Sequence, residues 1–132
     1  MNSHYLNTDL CLVSGTDLSP LVSALGENAE VLICGPQADG KWYATIEARG
    51  SGEAGRTPQQ DTDSLVAAVE ALNEDGAARF VACERKEMNI GWQSSASRPE
   101  GAFAVDSATL GRLAERDIVL SVTVYPSSEN DL

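Results

Sequence analysis

From Lys41 to Ala48 the side chains alternate without a break: Trp42, Ala44, Ile46 and Ala48 on one side, Tyr43, Thr45 and Glu47 on the other. A period of two over eight residues belongs to a β-strand with one face in a core, not to a helix. The Asp39-Gly40 pair before it favours the positive φ of a tight turn, and Glu30 to Cys34 before that turn is a short β-rich apolar run. The chain must therefore build a sheet, and something must cover one face of it.

The remaining segments indicate what does the covering. Leu6 to Ser14 is strand-like. Asp17 offers an N-cap to a short helix, Leu18 to Leu25, with Leu18, Leu21, Val22 and Leu25 on one face and Gly26 at the left-handed position after it. Residues 49–61 read as a mobile polar loop rich in glycine. A helix capped by Asp61 or Thr62 follows, with Leu65, Val69 and Leu72 as its buried stripe and Gly76 as its stop. Ala78 to Glu84 and Glu87 to Gln93 read as a hairpin around Arg85-Lys86, and Ser94 to Glu100 as a polar loop. Phe103 to Val105 is a short strand, Asp106 or Ser107 caps a helix to about Arg116, and Ile118 to Tyr125 is a β-branched strand ended by Pro126. The expected order is β-α-β-β-α-β-β-β-α-β. Three helices are too few to cover both faces of the sheet. The expectation is an α+β fold: an antiparallel or mixed sheet with three helices mainly on one face, a ferredoxin-like arrangement carrying extra strands.

At 132 residues, 42% of them apolar, the chain suits one domain over 1–126, with 127–132 as a disordered tail. Aromatic residues are few, so the core is expected to be mainly Leu, Val and Ala, with Trp42 and Trp92 its bulkiest members. The N-terminus lacks the basic and apolar regions of a signal peptide, and no apolar run reaches membrane-spanning length, so a soluble cytoplasmic protein is expected. Cys11, Cys34 and Cys83 are widely spaced within strand-like runs and read as small buried hydrophobes.

The net charge of −11 disfavours direct binding to nucleic acid or to an anionic membrane and favours a basic protein as partner. That charge is unevenly placed. Asp61, Asp63, Glu70, Glu74 and Asp75 lie within fifteen residues that contain no Lys or Arg. On one continuous helix, Asp63, Glu70 and Glu74 would fall within about 40° of one another, opposite the apolar stripe. Glu70 and Glu74 would repel at i,i+4, and Glu74 and Asp75 would sit at the end of the helix that disfavours anions. These five residues are the candidate partner-binding site. Glu84, Glu87 and Trp92, beside the cations Arg85, Lys86 and Arg98, are the secondary interface candidates.

Catalytic and cofactor signals fail on context. His4 is the single histidine, so no Ser-His or metal-ligand spacing arises, and Asp61 and Asp63 alone are too few oxygen ligands for a cation. Gly50-x-Gly52-x-x-Gly55 spells a dinucleotide fingerprint, but Pro58 and a further stretch of loop separate it from the next helix. The chain is expected to be a binding protein without metal or cofactor, not an enzyme.

Several segments together carry a resemblance: Leu12-Val13-Ser14-Gly15, Leu21 to Gly26, Lys41-Trp42-Tyr43-Ala44-Thr45, Ser64 to Leu72, Phe103-Ala104-Val105, Thr109 to Ala114 and Leu120 to Tyr125. With these the chain resembles a family of small bacterial proteins known only as a domain of unknown function. The resemblance implies an α+β sandwich-like domain with no known active site. In size and charge such members are similar to the immunity proteins encoded beside bacterial toxins. The expected role is neutralisation of a basic partner, foremost a cognate nuclease-type toxin. A nucleic-acid mimic that inhibits a bacterial defence complex such as a CRISPR effector and a small-ligand-binding domain are the alternatives.

Overall fold

The computed structural model describes residues 3–127 and places β1 (His4–Ser14), α1 (Ser19–Leu25), β2 (Glu30–Pro36), β3 (Trp42–Glu47), α2 (Pro58–Glu70), α3 (Glu74–Val81), β4 (Arg85–Gln93), α4 (Ser107–Glu115) and β5 (Val119–Tyr125). One sheet runs in the order β2-β3-β1-β4-β5. Its first four strands pair antiparallel, and β5 lies parallel to β4. Because β3 lies between β1 and β2, and β1 between β3 and β4, these four strands have the split β-α-β arrangement of ferredoxin-like folds. The crossover through α4 adds β5 at one edge. The fold is α+β with a mixed sheet, as expected.

Alternation decides which face the helices cover. Leu10, Leu12, Ala44, Ile46 and Met88 point to the same side and form one buried cluster with Leu21 and Leu25 of α1, Leu65, Val66 and Val69 of α2, Phe80 of α3 and Leu113 of α4. The opposite side carries half-buried Asn7, Asp9, Cys11, Val13, Tyr43, Thr45, Glu47, Glu87 and Asn89, with no helix over it. Trp42 packs against the edge of the core and is only partly buried. Cys83 is buried and Cys11 half-buried, but Cys34 is exposed, because the edge strand β2 has no neighbour beyond it.

Among the described residues four helices form, not three. The expected hairpin around Arg85-Lys86 is replaced by α3 followed by β4. Asn73 accepts the Gly76 N–H at 2.8 Å as the α3 N-cap, so Gly76 opens a helix instead of ending one. Lys86, expected in an exposed turn, is buried: its ammonium donates to the carbonyls of Val81 and Cys83 at the end of α3 and stands 5.7 Å from the Phe80 ring centre. α2 begins earlier than expected because Thr57 and Gln60 form a reciprocal capping box, with Pro58 in the first turn. Neither Asp61 nor Thr62 is the cap.

Three further departures are local. Asp17 accepts the Ser19 N–H at 2.7 Å from outside α1, whose N-cap is Leu18. Gly26 keeps right-handed angles, φ −62°, while Asp117 takes the left-handed position after α4 at φ 56°. There the Ile118 N–H reaches the Leu113 carbonyl and the Asp117 N–H the Ala114 carbonyl, the paired bonds of a Schellman end. Residues 103–105 form no strand. The cap of α4 is Asp106, whose carboxylate accepts the Thr109 N–H at 2.8 Å, as expected. The loop at 49–56 is fastened to β1: Ser51 Oγ accepts the Thr8 N–H at 3.0 Å where Leu6 bulges from the ladder. Apart from Ser127, the expected tail lies outside the described residues.

Candidate functional site

The five acidic residues expected to form one binding site, with Asp63, Glu70 and Glu74 on one helix face, are dispersed over two helices, and one of them is buried. Asp61 is buried in the first turn of α2, where it accepts hydrogen bonds from the Tyr5 hydroxyl and forms an ion pair with Arg56. Burial first, then the hydrogen bond to Asp61, pushes the Tyr5 phenol well above its ordinary value. This carboxylate ties β1, the 49–56 loop and α2 together and is inaccessible to a partner.

Asp63 and Glu70 do share a face, but α4 brings Arg112 to it. The Arg112 guanidinium donates two bonds to Glu70, at 2.6 and 3.1 Å, and one to Asp63 at 3.1 Å. Arg116 stands 3.6 Å from Glu70. Gln59 and Thr109 complete the junction, bonding Asp63 at 2.8 and 2.5 Å. The Arg112 hydrogen bonds hold the Glu70 carboxyl below its usual value. The expectation that no cation offsets this stripe is thus overturned. Its cations come from more than forty residues away. Glu74 and Asp75 stand in the first turn of α3, where the helix dipole favours anions, and Asp75 pairs with Arg79 at 2.9 Å.

The secondary candidates also separate. Glu84 pairs with Lys41 at 3.0 Å and Glu87 with Arg85 at 2.6 Å. Glu87 projects from the uncovered face, whereas Trp92 is on the helix side, its ring centre 5.4 Å from that of Phe103. They cannot belong to one contact surface.

A different acidic group emerges from the strand register. Glu30 of β2 faces Glu47 of β3, Glu47 faces Asp9 of β1, and Asp9 faces Asn89 of β4. Residues directly opposite in a ladder project from the same side with Cβ atoms about 5 Å apart. Three carboxylates therefore stand in one row on the uncovered face. Asn7 donates to Glu47 at 3.0 Å and to Asp9 at 3.5 Å. Gly91 makes room for it, since a Cβ there would come within 2.6 Å of Asn7 Oδ1. Among the described residues no ion pair involves Glu30, Glu47 or Asp9. Half-burial on the sheet, then the hydrogen bond and charge of Glu47, push the Asp9 carboxyl up to about 7. Near neutrality the Asp9 carboxyl therefore retains a proton part of the time beside Glu47. A signal for this row existed in the sequence, because Asp9 and Glu47 occupy outward positions of alternating strands; only the register shows that they are neighbours.

Two shallow grooves flank the Trp92–Phe103 contact. One, ≈480 Å³, is bounded by Trp92, Phe103, Val122 and Val124. The other, ≈410 Å³, is bounded by Tyr5, Arg56, Gln59, Trp92 and Phe103. Among the described residues no group of three or more His, Cys, Asp or Glu is placed to hold a metal ion, and no helix is long and apolar enough to cross a membrane. No protein-family model, no curated protein and no solved structure matches the chain.

Proposed function

We propose that this chain is an acidic binding protein, not an enzyme, and that it neutralises a basic protein partner docked on the uncovered face of the sheet. The foremost form of this role is immunity against a cognate toxin of the nuclease type in the cytoplasm. The observation that carries the reading is the row Glu30–Glu47–Asp9, three carboxylates opposite one another in the ladder with no cation paired to them among the described residues. Like charges held opposite one another cost stability in the free protein. A Lys or Arg brought by a partner removes that cost, so the row stabilises a complex more than the isolated chain. A cation at the row also displaces the proton from Asp9, and binding should tighten as pH rises from 6 to 8.

The groove bounded by Tyr5, Arg56, Gln59, Trp92 and Phe103 favours a second reading, a site for a small ligand. Arg56 there is already committed to buried Asp61, which leaves the groove without a free charge for recognition. It ranks second.

Affinity capture with the purified chain as bait, at low and at physiological salt, tests the first reading when run beside Glu30→Lys/Glu47→Lys. A basic protein held by the wild type, released by salt and bound at least about tenfold more weakly by the variant is the expected result. Equal capture by both chains would place the interface elsewhere, and an acidic or neutral partner would overturn the charge argument.

A further inference from the structure

The two edges of the sheet are defended differently. β2 begins with Glu30, ends with Pro36 and is broken by a register shift between Val31 and Ile33. Charge, proline and irregular pairing are the usual means by which an edge strand resists joining another chain. β5 has none of them. Its seven residues, Val-Leu-Ser-Val-Thr-Val-Tyr, carry no charge, Pro or Gly, and their register with β4 is unbroken.

The outward groups of β5 can be identified. The Ser94 N–H donates to the Tyr125 carbonyl at 3.0 Å, so Tyr125 turns its backbone groups toward β4. By alternation Ser121 and Thr123 do the same, while Leu120, Val122 and Val124 direct N–H and C=O outward. Among the described residues nothing pairs with those outward groups. The set is symmetric about Val122.

We propose that two copies of this chain pair through β5, antiparallel about a two-fold axis at Val122, joining two five-stranded sheets into one. In that register Val122 meets Val122 and Leu120 meets Val124 as hydrogen-bonded pairs, and every outward N–H and C=O finds a partner. Val119 then meets Tyr125, and Ser121 meets Thr123, on the uncovered face. Each is an apolar or hydroxyl pair of the kind that stabilises ladders. The apolar surface available is adequate. Val119, Val122, Val124 and Tyr125 are 60, 47, 59 and 47% exposed, and Phe103, which bounds one groove with Val122 and Val124, is exposed as well. Together these five side chains show on the order of 450 Å² per copy, so a pair that covered them fully would remove on the order of 900 Å², close to the size at which specific interfaces begin. Charge singles out the same edge. Two chains of −11 repel, and an edge without carboxylates is where they can approach most closely. Salt should therefore strengthen the pairing. The axis stands perpendicular to the sheet, so both uncovered faces lie on one side. Only the resulting double acidic platform, not the pairing, rests on the function proposed above.

Sedimentation velocity of the full chain tests the pairing without any other partner. From about 1 to 300 μM in 0.15 and 0.5 M NaCl, the wild type should pass from one-chain to two-chain mass, with tighter association at the higher salt. Val122→Asp sets two carboxylates on the axis and should weaken association at least about a hundredfold, while Ile33→Asp on β2 should leave it unchanged. Val122→Cys in a Cys34→Ser background supplies an independent reading. Hydrogen-bonded antiparallel partners have Cα atoms about 5.5 Å apart, within disulfide reach, so oxidation should yield a cross-linked two-chain species. A wild type that stays at one-chain mass throughout, a Val122→Asp chain that associates as strongly as wild type, or a two-chain wild type whose Val122→Cys form does not cross-link would overturn the proposal.

Discussion

The carboxylates of α2 and those of the uncovered sheet face are opposites in sequence and in structure. Asp61, Asp63 and Glu70 are close in sequence and look uncompensated, yet each is paired with an arginine. Glu30, Glu47 and Asp9 are scattered, yet the ladder sets them side by side with no cation paired to them among the described residues. Local charge density along a chain therefore says little about electrostatic stress. What matters is which residues the long-range pairing brings to the same place. The two groups shift in opposite directions: Arg112 holds Glu70 down, whereas burial and Glu47 push Asp9 up.

The sharpest way to break this comparison is to remove Asp61. Asp61→Ala leaves the Tyr5 hydroxyl and the Arg56 guanidinium without their shared acceptor, at a cost of about 3–5 kcal/mol. Denaturant unfolding measures it, and a loss below about 1 kcal/mol would show that the buried pair does not hold the helix to the sheet. Arg112→Ala removes the cation shared by Asp63 and Glu70 and leaves them as neighbouring like charges. Because the site is partly solvated, a loss of about 1–2 kcal/mol is expected. The same variant made in Glu70→Gln should cost markedly less, and equal costs would mean the two residues are not coupled.

The pH dependence of stability distinguishes the two groups by sign. Asp9 has a folded value of about 7 against about 3.9 in an unfolded chain, so the folded state binds the extra proton between those values. Stability should fall as pH rises from about 4 to about 7 and level off above. Glu70, held low, contributes stability above its unfolded value of about 4.3 that is lost as pH drops through its folded value. Thermal melts should then peak near about pH 4. Asp9→Asn keeps a donor to Glu47 without the charge. It should gain under about 1 kcal/mol at pH 8, solvent screening included, and almost nothing at about pH 4. A gain of the same size at both pH values would remove the raised Asp9 carboxyl from the account.

The smallest effect is kinetic. Burial pushes all three thiols up, but access differs. In native protein a thiol reagent should label exposed Cys34 first, half-buried Cys11 more slowly and Cys83 only on unfolding. Labelling of Cys83 at the rate of Cys34 would show that the α3–β4 junction opens readily.

Much of the fold was legible from periodicity. The alternation over 41–48 became β3, the β-branched run at 118–125 became β5, and Asp106 caps α4. The region from Thr57 to Glu84 was misread although its signals are present. Thr57-Pro58-Gln59-Gln60 has the letters of a capping box, and Asn73-Glu74-Asp75 those of an N-cap with an acidic first turn. Gly76 masked the second of these, because a glycine after an apolar stripe reads as an end. The short run Phe80-Val81-Ala82-Cys83 suits a strand as well as a helix, and one turn of helix is decided by what it packs on.

The sequence by itself determined that a half-buried sheet forms, that helices cover one side of it and that the chain is strongly acidic, because period, caps and net charge are properties of neighbouring residues. Only the tertiary structure decided which acids are neutralised. Arg112 meets Glu70 through the packing of α4 on α2, and Asp9 meets Glu47 through the register of β1 on β3. Both contacts join residues some forty positions apart. Electrostatic energy depends on distance in space and on burial, and neither can be read along the chain.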